Sequence, residues 1–303
     1  MNEPLAFGAG LRGRVLENEP MSRHVSWRAG GPARRAYVPR DLEDLCALLR
    51  ALPAGEPLLF VGLGSNLLVR DRGFCGTVVL MHDIHGRPRC EGEEVFAPAG
   101  VASPRLARFA AGQGFEGSEF LAGIPGTVGG ALAMNAGCFG SETWDVVSRV
   151  QTLGRDGALA VHGHQAFEIG YRHCVAQGAA AGMVAFAGAW FRFRRGDGAR
   201  ARQRIRELLE RRVATQPIGQ PNAGSVFRNP AGDHAARLIE SCGLKGFAIG
   251  GARVSEKHAN FIVNPGGLAS AGEIEALIEA VRRRVRETRG VDLVPEVRIV
   301  GEA

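Results

Sequence analysis

The fold and function of this chain are indicated first by the stretch Gly123-Ile-Pro-Gly-Thr-Val-Gly-Gly-Ala-Leu-Ala-Met-Asn-Ala-Gly137, which holds five glycines in fifteen residues and no charge. Buried main-chain groups must still find hydrogen-bond partners, and this stretch has few side chains that could supply them. A large flat heterocycle with its pyrophosphate would supply them, whereas a packed glycine-rich turn would not explain so long a stretch. We therefore predict cofactor contacts at Gly123, Ile124, Pro125, Gly126, Gly129, Gly130, Asn135, Ala136 and Gly137.

A second cofactor candidate lies earlier, where an apolar segment at residues 57–61 predicts a strand that runs into Gly62-Leu-Gly-Ser-Asn-Leu67. Consecutive main-chain N–H groups in such a turn, with a hydroxyl and an amide beside them, form an anion-binding concavity. An ordinary β-turn can have the same sequence, so the turn alone leaves both interpretations open. The candidate residues here are Gly62, Gly64, Ser65, Asn66 and Leu67.

Helix and strand patterns alternate along the rest of the chain, which favours an α+β or α/β class. Asp41 and Ser270 are typical helix N-caps, and Glu273 completes a capping box with Ser270. Ser103 is predicted to cap a further helix, because Pro104 then falls at its first position. A polar, glycine-rich segment predicts a domain boundary near residues 195–203, and residues 295–300 predict a final strand.

Composition excludes several classes of protein. The chain has 303 residues, 45% of them hydrophobic and 22% charged, with a net charge of +6. Its arginines are spread out and not interleaved with aromatic residues, which argues against a nucleic-acid partner. The six cysteines are widely spaced, which suits buried, reduced thiols in the cytoplasm, and no cluster completes a metal site. The longest apolar run has 14 residues, so we expect no membrane insertion.

Six motifs occur in a fixed order: GLGSNLLVRD from Gly62, GIPGTVGGALAMNAGCFG from Gly123, YRHC from Tyr171, PNAGSVFRNP from Pro221, HANFIVN from His258 and PEVRIVG from Pro295. Together they resemble the UDP-N-acetylenolpyruvoylglucosamine reductase (UDP-N-acetylmuramate dehydrogenase) family, in its shorter subtype. The resemblance covers essentially the whole chain.

The resemblance implies an α+β architecture: a two-subdomain FAD-binding fold of the PCMH/VAO type, followed by a C-terminal α+β substrate-binding domain. The implied boundaries are 1–75 for the first FAD-binding subdomain, joined by the last strand at 293–303, 76–198 for the second, and 203–292 for the substrate domain. It further implies non-covalent FAD, NADPH as co-substrate, and a monomer. The implied reaction is the reduction of UDP-N-acetylglucosamine enolpyruvate, a UDP-linked enolpyruvyl amino sugar, in peptidoglycan precursor synthesis.

Matched residue by residue, the catalytic arginine of the family falls on Arg172, its proton donor on Ser225 and its catalytic glutamate on Glu296. These residue types suit the chemistry, because hydride transfer to an enolpyruvyl ether leaves charge on the adjacent carbon and its carboxylate. Fixed hydrogen-bonding groups must stabilise that charge, and one proton must follow.

The predicted substrate-binding residues are Tyr171, Arg228, Asn229 and Arg298, the last three as candidates for the diphosphate. Two positions depart from the family pattern. Cys174 stands where the family has serine, which weakens or replaces any hydrogen bond made there. Arg228 stands where the family has lysine, which keeps the charge and changes its geometry.

Two other functions remain open on the residues alone. The chain could be another flavin oxidase or dehydrogenase of the same fold, although the Gly62–Asn66 turn has no His or Cys for covalent flavin attachment. It could also be a basic, non-catalytic nucleotide or nucleic-acid binder. A flavin spectrum in the purified protein separates the last alternative from the other two.

Overall fold

The computed structural model describes residues 10–83 and 86–302, and the chain divides into two compact units. Of these residues, the first unit comprises 10–16, 35–62, 76–83 and 86–205, and the second comprises 17–34, 63–75 and 206–302. Each is described by itself below.

The α-helices of the described residues are α1 (Leu42–Ala51), α2 (Ser103–Gly112), α3 (Val128–Ala133), α4 (Gly198–Thr215), α5 (Ala235–Ser241) and α6 (Ala271–Arg289). The strands are β1 (Arg14–Pro20), β2 (Pro32–Val38), β3 (Leu58–Val61), β4 (Leu67–Val69), β5 (Phe74–Leu80), β6 (Arg89–Glu91), β7 (Glu94–Pro98), β8 (Phe115–Glu116), β9 (Gly137–Cys138), β10 (Ser141–Glu142), β11 (Val147–Gly154), β12 (Leu159–Gly163), β13 (Phe167–Gly170), β14 (His173–Ala176), β15 (Met183–Arg192), β16 (Arg194–Arg195), β17 (Ala248–Ile249), β18 (Ala252–Val254), β19 (Ile262–Val263) and β20 (Arg298–Val300).

The largest sheet lies in the first unit and has the antiparallel order β12-β11-β15-β7-β6. Its central strand β15 is rich in aromatic and small residues, and it buries Phe186 and Phe191. Phe186 packs against Phe167 with 5.7 Å between ring centroids, and Trp144 lies 5.0 Å from Phe167. This aromatic cluster supports the short hairpin β13–β14, whose loop carries two of the predicted site residues.

The second unit is built around α6, which begins and ends where the sequence predicts. Ser270 accepts a hydrogen bond from Glu273 N in a capping box, and the helix ends at Gly290 with φ +70°. Asp71, at the end of the Gly62–Asp71 motif, accepts hydrogen bonds from Ala271 N and Gly272 N at 2.9 and 2.8 Å. Strand β20 runs parallel to β4, so the last strand of the chain returns to the segment that follows the first glycine-rich turn.

The prediction that Ser103 caps α2 is wrong. The cap is Ala102, Ser103 is the first helical residue, and its hydroxyl is buried without a hydrogen-bond partner among the described residues. The reason is a long-range contact: Ser103 N donates to Gly126 O at 2.9 Å, and Ala102 bridges to Thr127. This pairing fixes the start of the helix one residue earlier.

The thiols are also more varied than predicted. All six cysteines are free, but Cys75 and Cys90 are exposed, and only Cys46 is fully buried. Within residues 10–83 and 86–302, no three His, Cys, Asp or Glu side chains are grouped so that they could hold a metal ion. No helix in the same described ranges is long and apolar enough to cross a membrane.

Candidate active site

The turn after β3 presents main-chain donors. Gly64 has φ +58°, and a Cβ there would overlap the carbonyl oxygen of His24, so only glycine fits. Ser26 N holds the turn by donating to Gly64 O at 3.1 Å. The N–H groups of Leu63, Gly64 and Ser65 donate no hydrogen bond to any residue that the structure describes. The predicted turn therefore leaves consecutive donors for an anionic group, as an anion-binding concavity requires.

The first half of the long glycine-rich stretch leads into α3. Thr127 is its N-cap and accepts a hydrogen bond from Gly130 N at 3.4 Å. The main-chain N–H groups of Gly126 and Thr127 make no hydrogen bond within the described part of the chain. Gly130 is exposed, and apart from its chain neighbours and the backbone of its own helix, the nearest described atom to a Cβ added there would be Thr127 Oγ1 at 3.7 Å. Free donors beside open space fit a phosphate-bearing cofactor at this helix start.

The second half of the same stretch is used by the protein itself. Asn135 is 2% exposed and has φ +41°. Its Nδ2 donates to Glu142 Oε2 at 2.8 Å and to Gly170 O at 3.0 Å, and its Oδ1 accepts from Trp144 N at 3.1 Å. Both N–H groups of this side chain and its carbonyl oxygen are engaged by protein groups, so Asn135 holds local structure.

Arg172 lies in the two-residue loop of the β13–β14 hairpin and has φ +55°, which is strained for an arginine. Its guanidinium donates to Gly137 O at 2.9 Å and to Asn135 O at 3.4 Å. The guanidinium carbon also lies 5.0 Å from the ring centroid of Tyr171, which is exposed. Strain that persists in such a network is typical of functional sites.

Cys174 follows two residues later and is partly buried. Burial raises the pKa of its thiol to about 11, although a hydrogen bond with Trp144 acts in the opposite direction. The thiol is therefore neutral at physiological pH, like the serine hydroxyl that the family has here.

In the second unit, the segments that carry Ser225 and Glu296 run side by side. Gly224 has φ +76°, and its N–H donates to Asn222 Oδ1 at 2.9 Å, which forms a tight turn before Ser225. Glu296 N donates to Val226 O at 2.7 Å, and Arg228 N donates to Val294 O at 2.9 Å. The two predicted catalytic residues of this unit thus lie on neighbouring, hydrogen-bonded segments.

Two asparagines fix these segments. Asn260, in the HANFIVN motif, is 4% exposed; its main-chain O accepts from Val226 N, and its side chain binds both main-chain groups of Phe227. Asn66 Nδ2 donates to Glu296 O at 3.1 Å, and Asn66 O accepts from Arg298 N at 3.1 Å. From the sequence we predict no role for Asn260, although a polar amide between the apolar residues Ala259 and Phe261 is a usable signal.

The remaining predicted residues have different surroundings. Arg228 is partly buried, and its Nε has no hydrogen-bond partner among the described residues. Asn229 Oδ1 accepts a hydrogen bond from the N–H of Ala235, the first residue of α5, at 3.1 Å, while Arg298 is exposed on β20. These three belong to the second unit with Ser225 and Glu296, whereas Arg172 and Tyr171 belong to the first.

Comparisons with known protein families define the class. Residues 33–162 match the FAD binding domain family, and residues 216–300 match the family described as UDP-N-acetylenolpyruvoylglucosamine reductase, C-terminal domain. With the donor-lined glycine turns, these matches make the protein an FAD-dependent oxidoreductase with a separate C-terminal domain, which confirms the predicted cofactor and fold class.

Full-length relatives define the family. The reductase of Thiobacillus denitrificans is 58% identical over 96% of this chain and 94% of its own, and that of Alkalilimnicola ehrlichii is 56% identical over 96% of each. The crystal structure of the reductase from Thermus caldophilus superimposes with a TM-score of 0.77 at 30% identity, over 95% of this chain and 98% of that one. The chain belongs to the UDP-N-acetylenolpyruvoylglucosamine reductase family, as its motifs predict, and is a flavoprotein of peptidoglycan synthesis.

Proposed function

We propose that this chain reduces UDP-N-acetylglucosamine enolpyruvate to UDP-N-acetylmuramate, with NADPH as the source of electrons and Arg172, Ser225 and Glu296 as the catalytic residues. The observation that carries the residue assignment is the hydrogen bond from Glu296 N to Val226 O, which sets the Ser225 and Glu296 segments side by side. Family membership supports the substrate.

FAD is held without a covalent bond by main-chain donors of two turns. Leu63, Gly64 and Ser65 in the first turn, and Gly126 and Thr127 in the second, have N–H groups that no described residue accepts. When bound and reduced by NADPH, the flavin would supply the hydride for the terminal carbon of the enolpyruvyl group. The hydrogen bond from Ser26 N to Gly64 O holds the first of these turns, which limits the entropic cost of ordering its donors around the cofactor.

Arg172 orients the substrate carboxylate and stabilises the charge that develops next to it. A guanidinium stays protonated at any physiological pH and offers donors in a rigid fork. Its contacts with Gly137 O and Asn135 O hold it in a defined direction. A fixed cation lowers the barrier because it needs no reorganisation when the charge appears.

Ser225 gives the proton that completes the reduction, and Glu296, together with Arg172, is a hydrogen-bonding group for the charge that develops on the substrate. The turn at Gly224 presents the hydroxyl, and Asn260 fixes the main chain directly after it. A serine hydroxyl is a weak acid in water, but a carbanion beside a carboxylate is basic enough to take its proton if the geometry is held.

Arg228 and Arg298 bind the diphosphate of the substrate, with Asn229 and Tyr171 as further contacts. The buried Nε of Arg228 has no protein partner in the described residues, and Arg298 is exposed. Arginine suits phosphate because its N–H groups can bind two oxygens at once. The boundaries at 1–75, 76–198 and 203–292, the monomeric state and the cytoplasmic location stay predictions.

The test is anaerobic. Protein reduced with NADPH is mixed with the UDP-linked enolpyruvyl sugar, and flavin absorbance is followed; we expect rapid reoxidation and formation of UDP-N-acetylmuramate. UDP-N-acetylglucosamine, which lacks the enolpyruvyl group, is the matched control and should leave the flavin reduced. Equal behaviour with the two sugars would contradict the proposal.

A further inference from the structure

Glu142 lies at a junction between the glycine-rich stretch and the loop that carries Arg172. One carboxylate oxygen, Oε2, accepts a hydrogen bond from Asn135 Nδ2 at 2.8 Å. The other, Oε1, lies 4.0 Å from Nη1 of Arg172. The Arg172 side chain is 16% exposed and that of Glu142 is 31% exposed, so water screens this pair less than it screens a surface ion pair.

The same asparagine connects Glu142 to the hairpin loop. Asn135 Nδ2 also donates to Gly170 O at 3.0 Å, and Gly170 is the last residue of β13 before the loop. Asn135 O and Gly137 O accept from the guanidinium itself. Glu142 is therefore linked to Arg172 in two ways. Its carboxylate charge lies close to the guanidinium, and its Oε2 accepts from the Asn135 side chain, which in turn binds the loop of Arg172.

This arrangement matters because Arg172 has a main-chain conformation that arginine rarely adopts. A left-handed conformation in a non-glycine residue persists only where its surroundings determine it. The Arg172 side chain meets a carboxylate and two main-chain oxygens, which restrict the direction of the guanidinium.

We propose that Glu142 is a positioning residue for Arg172: it fixes the direction of the guanidinium, and so its alignment with the substrate carboxylate, without touching the substrate. The inference rests on the proposed role of Arg172. It also competes with a purely structural role, because Glu142 forms a capping box with Asp145 at the start of the turn Thr143–Val146.

A double-mutant cycle separates these roles. Glu142→Gln keeps a side-chain oxygen for Asn135 and removes the charge, and it is compared in the wild-type and Arg172→Ala backgrounds. We expect Glu142→Gln to slow substrate-driven flavin reoxidation by on the order of tenfold, with FAD content and the rate of flavin reduction by NADPH unchanged. In the Arg172→Ala background the same substitution should have less than about a twofold effect, because its target is gone.

Two further variants sharpen the test. Glu142→Asp retains the charge and should recover part of the rate. Glu168→Gln is the matched control, since Glu168 lies on the β13–β14 hairpin that carries Arg172 and its carboxylate is 3.2 Å from Nε2 of His173, not beside Arg172. The reoxidation rate of this variant should equal that of the wild type.

A normal rate in Glu142→Gln, or an equal loss in both backgrounds, would overturn the inference and leave the proposed function intact. A normal reoxidation rate in Arg172→Ala alone would instead overturn the role given to Arg172, and the inference about Glu142 with it.

Discussion

Asn260 is bonded to Phe227 through both ends of its side-chain amide: Phe227 N donates to Oδ1 at 3.0 Å, and Nδ2 donates to Phe227 O at 2.8 Å. An asparagine side chain thus replaces a strand partner at the position two residues after Ser225. Because both residues are buried, the main chain next to the proposed proton donor is held by groups that water cannot easily replace.

Replacement of Asn260 should therefore lower the stability of the protein. Asn260→Ala leaves the N–H and C=O of Phe227 buried and unpaired, which should lower the free energy of unfolding by about 2–4 kcal/mol. Urea unfolding of the FAD-free protein measures this change in the free energy of unfolding. Asn229→Ala, which removes one hydrogen bond at the start of α5, is the control and should cost about 1 kcal/mol or less. Similar losses of stability in the two variants would show that the paired hydrogen bonds of Asn260 contribute no more than a single hydrogen bond does.

The substitution Ser103→Ala should change the stability of the protein in opposite directions depending on whether Ser103 caps α2. If Ser103 capped α2, Ser103→Ala would cost about 1 kcal/mol. Because its buried hydroxyl has no partner among the described residues, we expect the substitution to leave stability unchanged or raise it by up to about 1 kcal/mol. Asp41→Ala is the comparison, since Asp41 does cap α1 by accepting from Asp44 N, and it should be destabilising. A loss in Ser103→Ala equal to that of Asp41→Ala would contradict the structure.

Helices α6 and α2 show what the sequence could and could not reveal. Helix α6 was predictable because its signals are local: the capping box at Ser270, the apolar spacing from Ile274 to Val285, and Gly290 at its end. The start of α2 was not, because a hydrogen bond to Gly126, far along the chain, determines it.

In the candidate site too, local motifs could be interpreted from the sequence, whereas long-range contacts could not. The motifs were sufficient to predict the family and the glycine-rich turns. They could not reveal that Asn135 and Gly137 serve Arg172, since those contacts join residues 37 and 35 positions apart. Nor could they reveal that Asn66 binds the last strand, because that pairing exists only in the folded chain.

Gly130 tests whether the cofactor occupies the open space at the start of α3. Gly130→Ala meets no described atom within 3.4 Å and favours the helix, so the FAD-free protein should be equally stable or up to about 1 kcal/mol more stable. Its affinity for FAD should fall by about tenfold or more, because the added methyl group fills space that the cofactor uses.

Gly112→Ala is the matched control. Gly112 ends α2, and a Cβ there would also meet open space, but it lies outside both glycine-rich stretches. Its FAD affinity, measured by titration of FAD fluorescence, should equal that of the wild type. If the two variants bound FAD equally well, Gly130 would not contact the cofactor.

Cys174 predicts a defined pH dependence of stability. The folded protein holds the pKa of the thiol at about 11, against 9.0 for an unperturbed cysteine. Below pH 9 the thiol is protonated in both states and stability is independent of it; from pH 9 to 11 the unfolded state loses the proton first, so stability falls.

Cys174→Ser removes that contribution, because serine does not titrate in this range. The free energy of unfolding of the wild type should therefore fall more steeply than that of the variant between pH 9 and 11, by at most about 1.4 kcal/mol per pH unit. Parallel curves for the two proteins would mean that the Cys174 thiol is not protected by burial.

The assignment of Ser225 as proton donor is tested most directly by the two half-reactions of Ser225→Ala, measured by stopped-flow flavin absorbance. NADPH should reduce the flavin of this variant at close to the wild-type rate, because no substrate proton moves in that half. Turnover of the UDP-linked enolpyruvyl sugar should fall by about 10²–10⁴-fold or more, the range typical of general acid catalysis. Ser225→Cys should recover part of the activity, because its thiol can also give a proton. Normal turnover by Ser225→Ala, or a defect confined to flavin reduction by NADPH, would contradict the account.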